Sequence, residues 1–527
     1  MTRACTGPNT RESGASMLAK VISSAVLGID AYLVEVEADI TPALPAFVTV
    51  GLPDGAVREA KERVASAIKN SDYLFPSKKV TINLAPADVK KEGSAFDLPM
   101  AVGILAATGQ VLREDFSDYV LIGELSLDGA LRPVPGVLPM AMRALAEKKK
   151  GILVPVANAD EAAIPSGLNV YPVESLIQTV AFLENGDTVK PHTIDVQEIF
   201  NRALVYPVDF TDVKGQQLSK RALEVAAAGG HNVIMVGPPG SGKTMLARRF
   251  PTILPNMTLD EALETTKIHS VAGSLPSGAA MIATRPYRSP HHTISNAGLV
   301  GGGTTPRPGE VSLAHHGVLF LDEMPEFNKD VLEVLRQPME DGHVTIARAA
   351  QTLTFPARFM LIGAMNPCPC GFFGSPQHDC HCTPQQITKY MSKISGPLLD
   401  RIDIHIEVPA VKFKELSSEE AGEPSETIRA RVNKARQRQL DRFAHEKGMY
   451  CNAHMESKHL RTYCPIDNES LDLLRRAITK LGLSARAYDR ILKVSRTIAD
   501  LDGTMDIHSQ HIAEAIQYRN LDRTLWM

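Results

Sequence analysis

No run of apolar residues in this sequence is long enough to cross a bilayer. The longest, Ala95–Val111, is broken by Asp97, Pro99 and Gly103, whereas a spanning helix needs about 20 predominantly apolar residues. The polar start, Met1–Ser16, contains no apolar segment of the kind that marks a secretory signal. It is expected to be a disordered extension, with Met17 as the natural start. These absences point to a cytoplasmic chain with no membrane partner. A charge excess is also missing. The net charge is −4, so attraction to nucleic acid would have to come from local basic surface. There is no repeat of fixed period, which excludes a solenoid. Cysteine is sparse but uneven: of 7 residues, four fall within Cys368–Cys382. In a chain without a secretory signal, that clustering favours a metal over disulfides.

The composition is that of a globular protein, with 44% hydrophobic and 22% charged residues over 527 positions. At about 150 residues per domain this length implies three or four domains. Residues 17–185 read as one α/β domain. Tyr32–Ala38 and Lys79–Leu84 alternate like strands, and Ala56–Ser71 has helical spacing between them. Residues 186–210 are polar, contain Pro191 and Pro207, and read as a linker. Over 211–409 strands and helices alternate, which predicts a mainly parallel sheet. A second, acidic linker is expected at 410–424. The remainder, 425–527, carries only helical patterns, at Ser425–Glu446, Asn468–Leu481, Ser484–Leu501 and Ser509–Tyr518.

The most specific signal is a P-loop. The apolar run Asn232–Val236 leads directly into Gly237, Pro238, Pro239, Gly240, Ser241, Gly242, Lys243 and Thr244, and helical residues follow. Such a loop aims backbone N–H groups at phosphate oxygens. Lys243 would reach the β- and γ-phosphates of ATP, and the Thr244 hydroxyl would ligate Mg²⁺. A second strand, Val318–Leu321, delivers Asp322 and Glu323 to its C-terminal end, the edge at which ligands bind in open α/β sheets. Asp322 would hold the Mg²⁺ through water, and Glu323 would act as general base on the attacking water. A third, Phe359–Met365, ends at Asn366, whose amide could orient that water; the plain alternative is a turn-former before Pro367. Arg401 suits a developing phosphoryl charge, or equally a salt bridge with Asp400 or Asp403. Cys368, Cys370, Cys380 and Cys382 form two Cys-x-Cys pairs that could close a structural Zn²⁺ site, with His378 and His381 as substitutes.

The order of P-loop, acidic strand end, Asn366 and Leu399-Asp-Arg401 resembles the AAA+ superfamily. Pro286–Thr293, Gly301–Gly303 and Arg307–His315 narrow this to the magnesium-chelatase-related clade, with inserts in helix 2 and before the sensor-1 strand. From Met17 to Leu521 the chain resembles the ComM/YifB family within that clade. The resemblance implies a homohexameric ring, ATP bound between subunits, Arg401 acting in trans, and DNA branch migration in natural transformation or homologous recombination. It also implies a sensor-2 role for Arg486, otherwise a solvated arginine after a helix N-cap. In the resembled clade the hairpin Asp341–Phe355 and the glycine-rich insert point into a pore. That makes Arg348 and Arg307 DNA-contact candidates, since a cation there could track phosphates without reading sequence. The arginines of Ser425–Glu446 read rather as a solvated lid face. The main competing function is a chelatase-type motor that drives metal insertion or remodels a protein partner. The extra N-terminal domain and the absence of an Asp-x-Ser-x-Ser motif count against it.

The N-terminal domain resembles the Lon protease catalytic fold, of the ribosomal protein S5 domain 2-like type, through Ala87–Ala107, Gly123–Gly129 and Pro133–Gly136. It departs where catalysis would need it. Ser94 is displaced by one position from the nucleophile's place, and the lysine position falls at Leu138, so Ser94 lacks an activating base. Purified full-length chain is therefore expected to show no degradation of an unfolded protein with or without ATP. Degradation that disappears in Ser94→Ala would overturn this reading.

Overall fold

The alternating and apolar runs form strands because each sheet demands a different pattern. In the computed structural model the described residues are 17–113, 115–186, 188–276, 278–303, 306–348, 351–374, 378–410, 422–446, 448–481, 484–519 and 521. The expected extension 1–16 and most of the expected linker 410–424 lie outside them. The chain forms two contact units. One runs to Ile199 and includes His269–Ala280; the other comprises Phe200–Ile268 and Met281–Met527.

The first unit is α/β. Its elements in order are β1 (Met17–Leu27), β2 (Asp30–Thr41), β3 (Ala46–Val50), α1 (Gly55–Asn70), β4 (Lys79–Ala85), α2 (Asp97–Ala107), β5 (Tyr119–Leu121), α3 (Val137–Ala146), β6 (Gly151–Pro155), β7 (Asn169–Val173) and α4 (Leu176–Asn185). They build a seven-stranded mixed sheet in the order β3-β4-β2-β1-β5-β6-β7. The alternation read in β2 places Val34, Val36, Ala38 and Ile40 in the core. Helix α1 starts where Asp54 accepts a hydrogen bond from Val57 N at 2.8 Å.

Two expected boundaries shift. Within the span expected as a linker, α5 (Val196–Arg202) forms, and Phe200 is buried. The expected ATPase span also loses His269–Ala280 to the first unit. There Ser270 Oγ donates to the buried Glu161 carboxylate, and Gly136 N donates to Ser270 O at 3.0 Å.

The second unit holds the parallel sheet that the strand–helix alternation predicts. It contains α6 (Gln217–Gly229), β8 (Val233–Val236), α7 (Lys243–Arg249), α8 (Leu259–Ala272, its last turn in the first unit), β9 (Tyr287–Arg288), β10 (Val318–Leu321), the hairpin β11 (His343–Arg348) with β12 (Gln351–Pro356), β13 (Met360–Met365) and β14 (Ile404–Glu407). The strand order is β9-β10-β13-β8-β14, with every neighbour parallel. β8 and β10 are buried at every residue, which is why they read as unbroken apolar runs.

The helical C-terminal part belongs to the same unit. It contains α9 (Ser425–Arg442), α10 (Asn468–Leu481), α11 (Ala485–Asp502) and α12 (Ser509–Gln517). The arginines of α9 are not the solvated face expected from composition. Arg436 donates to the Ala227 and Ala228 carbonyls at the end of α6, where orphan carbonyls favour a cation. Arg431 pairs with Glu224 and Glu423. Arg442 reaches Asp500, which is 1% exposed and also accepts from Asn452 at 2.8 Å and faces Arg496 at 3.2 Å. Removing Asp500 would strand two guanidinium groups without their carboxylate. Asp500→Ala is expected to destabilise this unit by about 3–5 kcal/mol, read as a lower urea midpoint by circular dichroism on the full chain.

Candidate nucleotide and metal sites

The end of β8 must turn within a space that admits no side chain. A Cβ on Gly237 would lie 2.2 Å from Val408 O and 3.0 Å from Ser241 Oγ. Gly242 caps α7 with φ +86°, a conformation costly for other residues. The turn folds over Lys243, whose Nζ donates to Gly237 O at 2.7 Å and Pro238 O at 2.9 Å and lies 3.3 Å from Asn366 Oδ1. Burial draws the Lys243 pKa below its usual value, with Asp322 opposing the shift. The ammonium is thus held by backbone carbonyls at the place where phosphate oxygens would replace them.

Thr244 Oγ1 donates to Asp322 Oδ2 at 2.7 Å. That contact sets the hydroxyl that would ligate Mg²⁺ beside the carboxylate that would reach the ion through water, the hard oxygen donors this cation takes. Glu323 follows in a left-handed conformation, φ +50°. That turn sends its side chain, 62% exposed, outward, with His292 Nδ1 at 3.9 Å. A non-glycine residue held in this region is strained, which is characteristic of functional positions. Asn366, at the end of β13, shares Lys243 as partner. One edge of the sheet therefore gathers Lys243, Thr244, Asp322, Glu323 and Asn366. Two further residues border this group that sequence reasoning did not single out. One is His292, visible only as part of the Pro286–Thr293 block. The other is Gln216, whose amide donates to Ser241 O at 2.7 Å and Pro409 O at 3.1 Å and so braces the loop from behind.

Arg401 is elsewhere. It precedes β14 and sits at the sheet's opposite edge, where Asn232 Nδ2 donates to its carbonyl at 3.1 Å. Its ion-pair partner is Glu340, not the Asp400 or Asp403 that its sequence neighbourhood suggests. Arg486 is beside it rather than beside the P-loop. Arg486 Nη1 lies 3.5 Å from Asp400 Oδ2, and both arginines line a cavity of about 150 Å³ with Arg490 and Asp403.

The cysteine cluster directly follows Asn366. Its four sulfurs lie within 4.8 Å of one another. Cys368 Sγ is 3.3 Å from Cys370 Sγ and 3.7 Å from Cys380 Sγ, and Cys370 to Cys380 is 3.6 Å. These separations exceed a disulfide bond and approach the roughly 3.8 Å between sulfurs around a tetrahedral Zn²⁺. The donor set therefore fits a structural zinc, held by thiolates with no open position. Gly371, at φ +88°, carries the cluster against the P-loop; a Cβ there would lie 2.6 Å from Pro239 Cδ.

Glu264, His315 and His316 also gather within 4.8 Å, but their hydrogen bonding argues against a metal. His315 Nδ1 accepts from Arg358 N at 3.0 Å, so the ring proton is on Nε2, which faces Glu264 at 3.3 Å. A metal on Nε2 needs the other nitrogen to be the donor.

The two DNA-contact candidates belong to neighbouring elements. Gly302 pairs with the exposed Arg307, and a Cβ on Gly301 would lie 2.9 Å from Ile346 Cδ1 of β11. Arg348 closes β11 opposite Gln351; its side chain lies outside the described residues. In the first unit Ser94 Oγ donates to Glu124, and Leu138 is fully buried.

Comparison with known proteins places these features in a family. Three family profiles match, described as "Subunit ChlI of Mg-chelatase" at residues 36–158, "Magnesium chelatase, subunit ChlI" at 209–416 and "Magnesium chelatase, subunit ChlI C-terminal" at 422–519. The Competence protein ComM of Haemophilus influenzae is 44% identical over 511 residues, covering 96% of this chain and 98% of that protein. The Uncharacterized protein YifB of Escherichia coli is 44% identical over 510 residues, with 96% and 98% covered. The Magnesium-chelatase 67 kDa subunit of Chlorobaculum parvum is 30% identical over 166 residues, 30% of this chain and 23% of that protein.

Protein purified without chelator is expected to carry about one zinc per chain, measured by elemental analysis. Cys368→Ser and Cys380→Ser should lower that occupancy. A stoichiometry near zero in folded protein would refute the zinc assignment.

Proposed function

The chain belongs to the ComM/YifB family of magnesium-chelatase-related AAA+ ATPases, and on that premise we propose that it is an ATP-hydrolysing ring motor that migrates branched DNA. The observation that carries the ring reading is the polarity of the parallel sheet. The phosphate loop leaves the C-terminal end of β8. The Arg401 turn is bonded to Asn232 at the other end. Four residues of strand separate them, roughly 13 Å of backbone at about 3.3 Å per residue. Arg401 and Arg486 are therefore out of reach of the nucleotide held by their own subunit. They become useful when a neighbour brings its own Lys243, Asp322 and Glu323 against that edge, which a closed ring does for every subunit.

In such a composite site Lys243 and the P-loop amides bind the phosphates. Thr244 and Asp322 would hold Mg²⁺, which would neutralise phosphate charge. Glu323 takes a proton from the attacking water, and Asn366 orients that water. The neighbour's Arg401 and Arg486 stabilise charge on the transferred group. The four-cysteine knuckle keeps Asn366 and Pro239 in place. DNA as the substrate is supported by the word "competence" in the name of the Haemophilus influenzae relative and by the approach of Gly301, whose strand partner is Pro308 next to Arg307, to Ile346 of β11, the strand that ends at Arg348. A chelatase-type motor is the second reading, supported by the matching ChlI profiles.

ATPase rates with and without single-stranded and branched DNA separate the two. DNA is expected to raise the rate, and its affinity to fall as salt rises. Rings that hydrolyse ATP yet neither bind DNA nor move a four-way junction at low salt would refute the DNA reading. Glu323→Gln should retain ATP binding and lose about a hundredfold or more in turnover. Lys243→Ala should weaken nucleotide binding itself.

A further inference from the structure

Arg486 is poorly held by its own contact. Its partner Asp400 is 3.5 Å away, and its side chain is 66% exposed. Such a pair contributes little and fixes little. What sets its place must lie deeper, and one turn further along α11 is Arg490. Arg490 Nη1 donates to Asp403 Oδ1 at 2.7 Å. Asp403 is 2% exposed and stands two residues after Arg401. Its other oxygen faces the buried His231, with Nδ1 at 3.1 Å. An ionised carboxylate can only accept, so the imidazole supplies that proton. His231 Nε2 meets Thr497 Oγ1 of α11 at 2.8 Å. Burial alone would raise the Asp403 pKa, but Arg490 and then His231 hold it well below the usual carboxylate range.

His231 is also the root of the P-loop strand. The next residue, Asn232, accepts from Leu361 N at 2.8 Å, and its carbonyl accepts from Asp403 N and Ile404 N, each at 3.1 Å. Three pieces thus converge on one carboxylate: the start of β8, the turn that carries Arg401, and the helix that carries Arg486.

We propose that Asp403, together with Arg490 and His231, forms a positioning set that registers Arg486 against Arg401 and fixes both to the root of the P-loop strand. Replacing a buried ion pair by apolar residues is often neutral for stability, whereas the pair is directional and specifies register. An apolar contact in its place would let α11 slide or rotate, and a displacement of about 1 Å at a reacting group can cost a hundredfold in rate. All three lie at the Arg401 edge of the sheet, away from their own subunit's P-loop, and they act through the two arginines. The proposal rests on the reading that those arginines serve the neighbouring subunit.

The test uses full-length rings. Asp403→Asn is expected to lower kcat for ATP about tenfold or more, with KM and the affinity for a fluorescent ATP analogue within about twofold of wild type. Arg490→Lys should retain more activity than Arg490→Ala. Mixed rings give the readout that a purely structural role would not move. Glu323→Gln subunits have a dead site but intact arginines. Mixed with Asp403→Asn subunits, they should restore turnover several-fold above either variant alone. Arg401→Ala mixed with Glu323→Gln is the control. If the control recovers and the Asp403→Asn mixture does not, the positioning proposal is overturned, because the defect then lies in the subunit's own site. If neither recovers, the trans reading itself falls. A near wild-type kcat in Asp403→Asn would also overturn the proposal. Should Asp403→Asn give no soluble rings, Arg490→Gln carries the same comparison; soluble rings from neither would mark a folding role instead.

Discussion

The hydrogen-bonded register of β8 between β13 and β14 is the constraint on which the second unit depends. Val233–Val236 pairs in parallel with Ile362–Met365 on one side and with Ile404–Glu407 on the other. Parallel pairing aligns strand ends by type. Every loop after a C-terminal end opens on one edge, and every turn before an N-terminal end lies on the other. The phosphate loop, the Asp322–Glu323 pair and Asn366 follow from the first fact, and the isolation of Arg401 from the second. No side-chain interaction needs to enforce this division. It is settled by backbone pairing before any ligand arrives.

Side chains then make the division rigid. Charged and amide groups that usually seek solvent are used inside this unit as fasteners. Arg436 and Gln439 occupy the last carbonyls of α6. Arg442, Arg496 and Asn452 converge on Asp500. Each buried charge is costly unless paired, so such a network tolerates few alternative arrangements of helices on the sheet. The C-terminal helices and the sheet accordingly share one core, in which Ile428, Val432, Ile491 and Ile498 pack with Val233, Met235 and Ile404.

Much of this was legible in the sequence, for identifiable reasons. Strands buried on both faces appear as unbroken apolar runs, and the P-loop is a contiguous pattern whose spacing is dictated by phosphate geometry. The helices over 425–519 carry clear periodicity, and the spacing of the cysteine pairs suits the cluster in which their sulfurs gather. What stayed hidden is long-range. Nothing near Arg401 points to Glu340 as its partner, because the contact joins segments 61 positions apart. The helix at Val196–Arg202 was obscured by flanking prolines and polar residues. The arginines of α9 look solvated in composition because their partners, among them carbonyls and buried acids, come from other helices. Gln216 carries no signal at all in one sequence, since a glutamine beside a loop is ordinary until its amide is seen against Ser241 and Pro409.

The close approach of Gly371 to Pro239 sets the cysteine loop against the phosphate loop. A loop whose four sulfurs close on a metal gains much of its folding free energy from that ion. Two ligands that act on touching segments of backbone cannot bind independently if either shifts the contact. Thermodynamic linkage then requires the influence to be equal in both directions. Whatever factor the metal contributes to nucleotide affinity, the nucleotide returns to metal affinity. Were the proposed ring to cycle through ATP, ADP and empty states with metal on its cysteines, each subunit's hold on that metal would rise and fall in step with its place in the cycle.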